Sequence, residues 1–215
     1  VKEAFQTIFD DEYLIVLDKR VKILACGCRK TVKNTLTSLL ERKKGEKVFP
    51  CHRLDKETTG LVIYAKDKQT QKKITQQFRD RVIKKRYIAF VRGNINKKKG
   101  VIDCEIIDSE GKKFGEKAKD AKTKYKVIEE YKGYSIVDLE PLTGRTNQLR
   151  IHLAKIGHPI LGESKYAFRR DFDVKFKRLA LHAYSLSFLH PVSGETVNLK
   201  IDLPDDMDNF LTSKK

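Results

Sequence analysis

The sequence predicts an α+β fold: a mixed, mainly antiparallel sheet with flanking helices. Three observations predict it. Short apolar or alternating runs outnumber the stretches with helical spacing. Some of these runs meet across tight polar turns, as residues 123–131 and 134–142 do on either side of Lys132-Gly133. Others are separated by helices without the regular β-α-β alternation of a doubly wound parallel sheet. No internal repeat of about 20–50 residues occurs, so residues 1–215 are expected to form a single domain.

Taken in order, residues 13–17 and 21–25 read as two short strands joined by a polar turn. From 31 to 44 the spacing becomes helical, with Val32, Leu36, Leu39 and Leu40 on one face and Gly45 as the stop. A polar, turn-prone loop over 49–60 then leads into Leu61-Val62-Ile63-Tyr64-Ala65, a buried strand. Asp67 caps a helix running to about Arg81, with Ile74 and Phe78 facing inward. Residues 86–91 form a strand ended by Gly93, Lys97-Lys98-Lys99-Gly100 a turn, and 101–107 an alternating strand. Residues 108–122 are nearly all charged or small and read as a loop. Leu149, Leu153 and Ile156 place a short helix from about Asn147 to Gly157, with Arg150 in its first turn off the apolar stripe. A basic segment, 169–178, leads to strands near 179–189 and 196–203, and a polar tail closes the chain.

Charge narrows the choice of partner. The 46 Lys and Arg exceed the 29 Asp and Glu among 215 residues, giving a formal charge of +17. Such an excess suits a polyanion, and RNA or DNA fits better than a membrane because no long apolar helix or basic amphipathic stretch is present. Surface lysines also serve as a solvated shell, so charge alone does not decide the matter.

Cysteine usage points to a reducing compartment, the cytoplasm or a nucleic-acid-containing organelle. Four cysteines, two of them as Cys26-x-Cys28, are too few for the disulfide framework of a small secreted domain. A zinc site from Cys26, Cys28, Cys51 and His52 would need a one-residue gap and two adjacent ligands, both awkward for a tetrahedron. Small core residues are the simpler reading, and no metal is expected.

The stretch that organises the chain is His52-Arg53-Leu54-Asp55-Lys56-Glu57-Thr58-Thr59-Gly60-Leu61, one acidic group set in a loop immediately before a buried strand. A protein kinase loop is excluded: there His-Arg-Asp is contiguous with an Asn five residues after the Asp, whereas here Leu54 intervenes and Gly60 takes that place. The stretch instead resembles the H-R-L-D-x-x-T-S-G-L signature of the RluA-type RNA pseudouridine synthases. Lys85-Arg86-Tyr87 is similar to that family's K-x-Y element, and residues 143–153, Thr-Gly-Arg-Thr-Asn-Gln-Leu-Arg-Ile-His-Leu, to its T-G-R-x-H-Q-I-R-V-H element. Gly157-His158-Pro159-Ile160-Leu161-Gly162, Leu181-His182-Ala183 with His190-Pro191, and Lys119-x-Ala121-x-Thr123-x-Tyr125 extend the likeness over roughly residues 10–205.

The resemblance implies the pseudouridine synthase catalytic fold with a central active-site cleft, and an isomerase that converts specific uridines of ribosomal or transfer RNA to pseudouridine. It assigns Asp55 as the catalytic acid, Tyr87 as the residue that stacks on the uracil and helps remove a sugar proton, and Arg150 as the partner that keeps Asp55 ionised. Arg53 is assigned to fill the gap left by the flipped nucleotide and to hold phosphate. His52 either contacts phosphate or orients the loop; Arg145 is a loop anchor or phosphate contact; Lys85 and Arg86 belong to the RNA-binding set. Two departures stand out: Asn147 where the family usually has His, and Lys19-Arg20-Val21-Lys22 in place of its K-P-x-G. No S4-like RNA-binding domain is expected, so the resemblance leaves RNA recognition to the catalytic domain itself.

The chemistry agrees on independent grounds. Moving the base from N1–C1′ to C5–C1′ consumes no redox equivalent, metal or nucleotide, so no cofactor is expected. One carboxylate suffices, attacking C1′ or helping to expel uracil as a glycal-like sugar forms; a glycosidase would want two, and only Glu57 lies nearby in sequence. A non-catalytic RNA-binding protein on the same fold is the rival, but a binder has no use for an acid that repels phosphate. RNA is the expected partner, with no obligate protein partner and a monomeric state.

Overall fold

The computed structural model describes residues 3–27, 34–107, 118–168 and 172–213. Their elements run β1 (Phe5–Asp10), β2 (Leu14–Lys19), α1 (Leu36–Lys44), β3 (Phe49–Pro50), β4 (Thr59–Ala65), α2 (Lys68–Arg79) and β5 (Lys84–Arg92). They continue β6 (Lys99–Asp103), β7 (Lys122–Tyr131), β8 (Tyr134–Pro141), α3 (Gln148–Lys155), β9 (Leu181–Leu189), β10 (Thr196–Lys200) and α4 (Asp205–Thr212). The mixed, mainly antiparallel α+β class holds. The residues group into two compact units, Val1–Lys84 with His182–Lys215, and Lys85–Leu181.

In the first unit the strand order is β1-β2-β4-β9, with β10 beside β9 and β3 beside β4. Strands β4 and β9 run parallel, paired at Thr59 with His182 and at Gly60 with Ala183. Every residue of β4 is buried, which is why its sequence reads as a continuous apolar run rather than an alternating one. Leu14, Val16, Ile63, Ile74, Ile83 and Phe188 pack together in the core beneath it. The cap of α2 is as expected: Asp67 accepts from the Thr70 backbone at 2.8 Å and Ile74 is fully buried. Helix α1 begins at Leu36, where Thr35 and Ser38 form a reciprocal capping box, and stops at Gly45 in the left-handed region. The portion of the expected helix before Asn34 lies outside the described residues, as does Cys28.

Three expectations change in this unit. Residues 21–25 are not a strand but a turn joined to α1, because Leu24 and Ala25 give their carbonyls to the backbone N–H groups of Leu36 and Thr37. Before β2, β1 pairs with it antiparallel. The polar tail contains α4, whose first turn carries Asp205, Asp206 and Asp208 against the positive end of the helix, and whose Met207 is fully buried.

The second unit is an antiparallel sheet ordered β5-β8-β7-β6. Its hairpin turns at Lys132-Gly133 as expected, with Tyr131 opposite Tyr134. Strand β6 ends at Asp103 rather than 107, because Ala121 and Lys119 take the backbone donors of Cys104 and Ile106 in an irregular pairing. Lys122 belongs to β7, and the rest of the expected loop lies mostly outside the described residues. Helix α3 packs on β8, burying Leu149 and Leu153.

Gly60 has φ +113, and a Cβ there would sit 2.2 Å from the Ala183 carbonyl oxygen. Only glycine permits both that backbone and the β4–β9 pairing. Gly60→Ala should lower the unfolding free energy by at least about 2 kcal/mol, read as a reduced urea midpoint; an unchanged midpoint would mean that the strands pair otherwise.

Candidate active site

The signature loop of the first unit is fastened at several points. Cys51 donates its backbone N–H to the Ile63 carbonyl at 3.0 Å. The Ile63 N–H returns to Nε2 of His52 at 3.1 Å, and the His52 ring packs on Phe78 with centroids 4.7 Å apart. His52 therefore orients the loop through an unprotonated acceptor nitrogen. Leu54 is buried, Arg53 is exposed, and Asp55 is half-buried between them and a turn closed by Thr58 N–H on the Asp55 carbonyl at 3.1 Å.

The far side of that turn is held by a buried cation. Lys19 is fully buried and its ammonium donates to the carbonyls of Arg20, Ile23 and Lys56 at 3.0, 3.1 and 3.2 Å. The Lys22 backbone N–H reaches the same Lys56 carbonyl at 3.0 Å. Lys22 has φ 64, the conformation for which the family's glycine at this place is suited; a lysine there costs about 1–2 kcal/mol of backbone strain. Downstream, Thr59 and Nδ1 of His182 lie 2.8 Å apart, and Nε2 of His182 faces the Asp202 carbonyl at 3.0 Å. A ring nitrogen facing a carbonyl must carry the proton, so Nδ1 accepts from Thr59.

In the second unit, Lys85, Arg86 and Tyr87 lie on β5. Alternation turns Lys85 and Tyr87, both half-buried, to one side and the exposed Arg86 to the other. Tyr87 stands opposite Leu139 on β8. The guanidinium of Arg86 is engaged with the Asp138 carboxylate through Nε at 3.2 Å and through Nη2. Burial holds the Lys85 ammonium below the usual lysine range, and a Cβ on Gly144 would lie 3.8 Å from its Nζ.

The Thr143–Gln148 loop is tied to β7 by Gln148, which the sequence reading passed over. Its Oε1 accepts from Thr143 Oγ1 at 2.7 Å and from the Arg145 N–H at 3.0 Å. Its Nε2 donates to the Lys122 carbonyl at 2.9 Å and to Thr123 Oγ1 at 3.0 Å. His152, fully buried, meets the same Thr123 hydroxyl at 3.0 Å, and burial holds its imidazole below the ordinary histidine range. Arg145 donates from Nε to the Asp120 carbonyl at 3.2 Å. His158 also makes a local bond, from Nδ1 to the Arg92 carbonyl at 2.9 Å.

Arg150 is buried, and a second residue absent from the sequence reading holds it. Glu163, with no exposed surface, accepts from Arg150 Nε at 2.7 Å and from Nη2 at 2.7 Å. Its Oε1 also accepts the backbone N–H groups of Ser164, Lys165 and Tyr166 at 2.9, 2.7 and 3.3 Å. Burial opposes its ionisation, but the guanidinium and these amides more than offset that, and the carboxyl sits below its ordinary range. Asn147 stands at the N-cap of α3 in the left-handed region, φ 54, yet makes no capping bond. Its Oδ1 accepts from Arg150 Nη1 at 2.9 Å instead. The one signal for Glu163 was an acid following the apolar Pro159-Ile160-Leu161-Gly162, and among 29 acidic residues that does not announce burial.

Taken separately, the units present a half-buried carboxylate on a fastened loop and a buried guanidinium of fixed orientation on a helix, with a tyrosine on a strand. Among the described residues no cluster of His, Cys, Asp and Glu is arranged to hold a metal ion, and no helix is long and apolar enough to cross a membrane.

The family described as RNA pseudouridylate synthase matches residues 13–155. The ribosomal large subunit pseudouridine synthase D of Nitrosomonas europaea is 33% identical over 215 aligned positions, covering 93% of this chain and 62% of that protein. The dual-specificity RNA pseudouridine synthase RluA of Salmonella typhi is 33% identical over 203 positions, covering 90% of this chain and 91% of that one. Among solved structures, human RNA pseudouridylate synthase domain containing 4 superposes with a TM-score of 0.78 at 30% identity, over 96% of this chain and 91% of that one.

Protonating Glu163 removes half of a buried ion pair. Because its folded-state pKa is depressed, the stability it contributes is complete above its ordinary value of 4.5 and is lost as pH falls through the lower folded value. Urea unfolding between pH 7 and pH 3 should show this acid loss in the wild type and less of it in Glu163→Gln. That variant should start about 3–5 kcal/mol less stable at pH 7; equal stability there would mean that the pair is not buried.

Proposed function

Because this chain belongs to the RNA pseudouridylate synthase family, we propose that it isomerises uridine in ribosomal or transfer RNA to pseudouridine, with Asp55 as the catalytic group. The observation that carries the reading is that the family match over 13–155 spans Asp55 in the loop before β4, Tyr87 on β5 and Arg150 on α3. The Nitrosomonas relative, named for the large ribosomal subunit, makes large-subunit ribosomal RNA the first substrate to test.

The reaction breaks N1–C1′ and forms C5–C1′. N1 gains a proton and C5 loses one, so atoms balance without water or an electron carrier. Asp55 acts either as nucleophile at C1′ or as the group that assists uracil's departure. It sits half-buried on a loop whose flanks are pinned through Lys19, Lys22 and His52, so little reorganisation is needed when the nucleotide arrives. Tyr87 offers a ring on which the flipped uracil stacks and a hydroxyl for the sugar proton. Arg150 is the group that the family resemblance assigns to keeping the acid ionised. Arg53, exposed on the loop, takes phosphate or the vacated stack; Lys85, Arg86 and Arg145 contribute to RNA binding from β5 and the Thr143–Gln148 loop.

Asp55→Asn should abolish pseudouridine formation while leaving RNA affinity within about threefold of wild type. The check is pseudouridine mapping of large-subunit ribosomal RNA incubated with each protein. An Asn variant that still converts uridine removes Asp55 from the mechanism. Affinity for single-stranded RNA should also fall with salt, by about 0.7 log units per phosphate contact for each log unit of salt; salt-independent binding would exclude the lysine-rich surface from the interface.

A further inference from the structure

The guanidinium of Arg150 has five N–H bonds. Three of them are committed inside the second unit: Nε–H and one Nη2–H to Glu163, and one Nη1–H to the Asn147 side chain. The Tyr166 ring lies 5.3 Å from its central carbon. Two parallel bonds to a carboxylate set the plane of the group, and a third on Nη1 sets its roll about that plane. Glu163 is itself immobilised by three backbone amides of residues 164–166, so the whole assembly is anchored to the main chain.

The pairing has an electrostatic consequence. One positive and one negative charge, bonded to each other and buried, offset each other, so Glu163 compensates much of the guanidinium's charge within the second unit. A lone buried arginine would act through its charge; this one is left to act through direction. Asn147 is suited to its part because asparagine tolerates the left-handed backbone found there and carries an acceptor short enough to reach back to Nη1.

We infer that Glu163 and Asn147 are positioning residues, which aim Arg150 as an oriented hydrogen-bond donor with its charge already compensated. The inference rests on the proposed pseudouridine synthase reaction for its readout in catalysis. Neither residue touches RNA in this role, so the effect should appear in the rate of the chemical step and not in affinity.

The test compares the full chain with Asn147→Gly, which keeps the left-handed backbone and deletes the acceptor, Asn147→Asp, which restores the acceptor, and Glu163→Gln. Rates are measured in single turnover at saturating, in vitro transcribed large-subunit ribosomal RNA, affinities by filter binding, and folding by urea midpoint. Asn147→Gly should turn over about 10- to 100-fold more slowly, with RNA affinity and urea midpoint unchanged, and Asn147→Asp should recover most of the loss. A Gly variant with the wild-type rate, or a loss confined to affinity or matched by a fall in the urea midpoint, would overturn the inference. If Glu163→Gln fails to fold, Asn147→Gly still decides. The Arg150 Nε–H resonance gives a readout independent of turnover: it should be protected from solvent exchange in the wild type, and rapid exchange there would also overturn the inference. A wild type that converts no uridine, with that resonance protected, would instead sink the proposed reaction and leave the orientation of Arg150 standing.

Discussion

Charge cannot be kept in a protein interior without partners, and this constraint shapes both units. In the first, Lys19 is fully buried and its side-chain nitrogen donates to three carbonyl oxygens. In the second, Arg150 is buried against a carboxylate that is bonded in turn to three amides. An unpartnered charge at either place would destabilise the fold by several kcal/mol. The backbone around each is therefore bound to supply those partners, and in doing so it is held still.

That stillness is what the chemistry requires. The carbonyl that Lys19 grips belongs to Lys56, one residue beyond Asp55, while His52 ties the preceding residues to the buried strand β4. The acid sits between two fastenings. Gln148 does the same for the loop that leads into α3, using its amide to join Thr143, Arg145, Lys122 and Thr123. Both functional loops owe their geometry to side chains that need never touch RNA.

Much of the candidate site was legible because its chemistry is carried by contiguous motifs. Asp55, Tyr87 and Arg150 each occupy a recognisable stretch, and the elements that carry them, the loop before β4, β5 and α3, follow from local periodicity. The misreadings have different physical origins. Residues 21–25 have the composition of a strand, but their carbonyls are taken by the first turn of α1, an interaction between segments that no local pattern reports. The tail reads as polar, yet Met207 and three acids at the N-terminal turn were enough to mark α4. Asn147 looks like a helix cap, and its side chain turned to Arg150 instead.

The sequence by itself determined the fold class, through periodicity, and the family, through motifs contiguous along the chain; Asp55, Tyr87 and Arg150 are the groups that this resemblance nominates. The tertiary structure alone decided which partners those groups keep: Glu163 for Arg150 across 13 residues, and Lys19 for the Lys56 carbonyl across 37. A buried acid or lysine is indistinguishable in sequence from an exposed one. Its role appears only when folding removes water and leaves it to be satisfied by whatever the chain brings near.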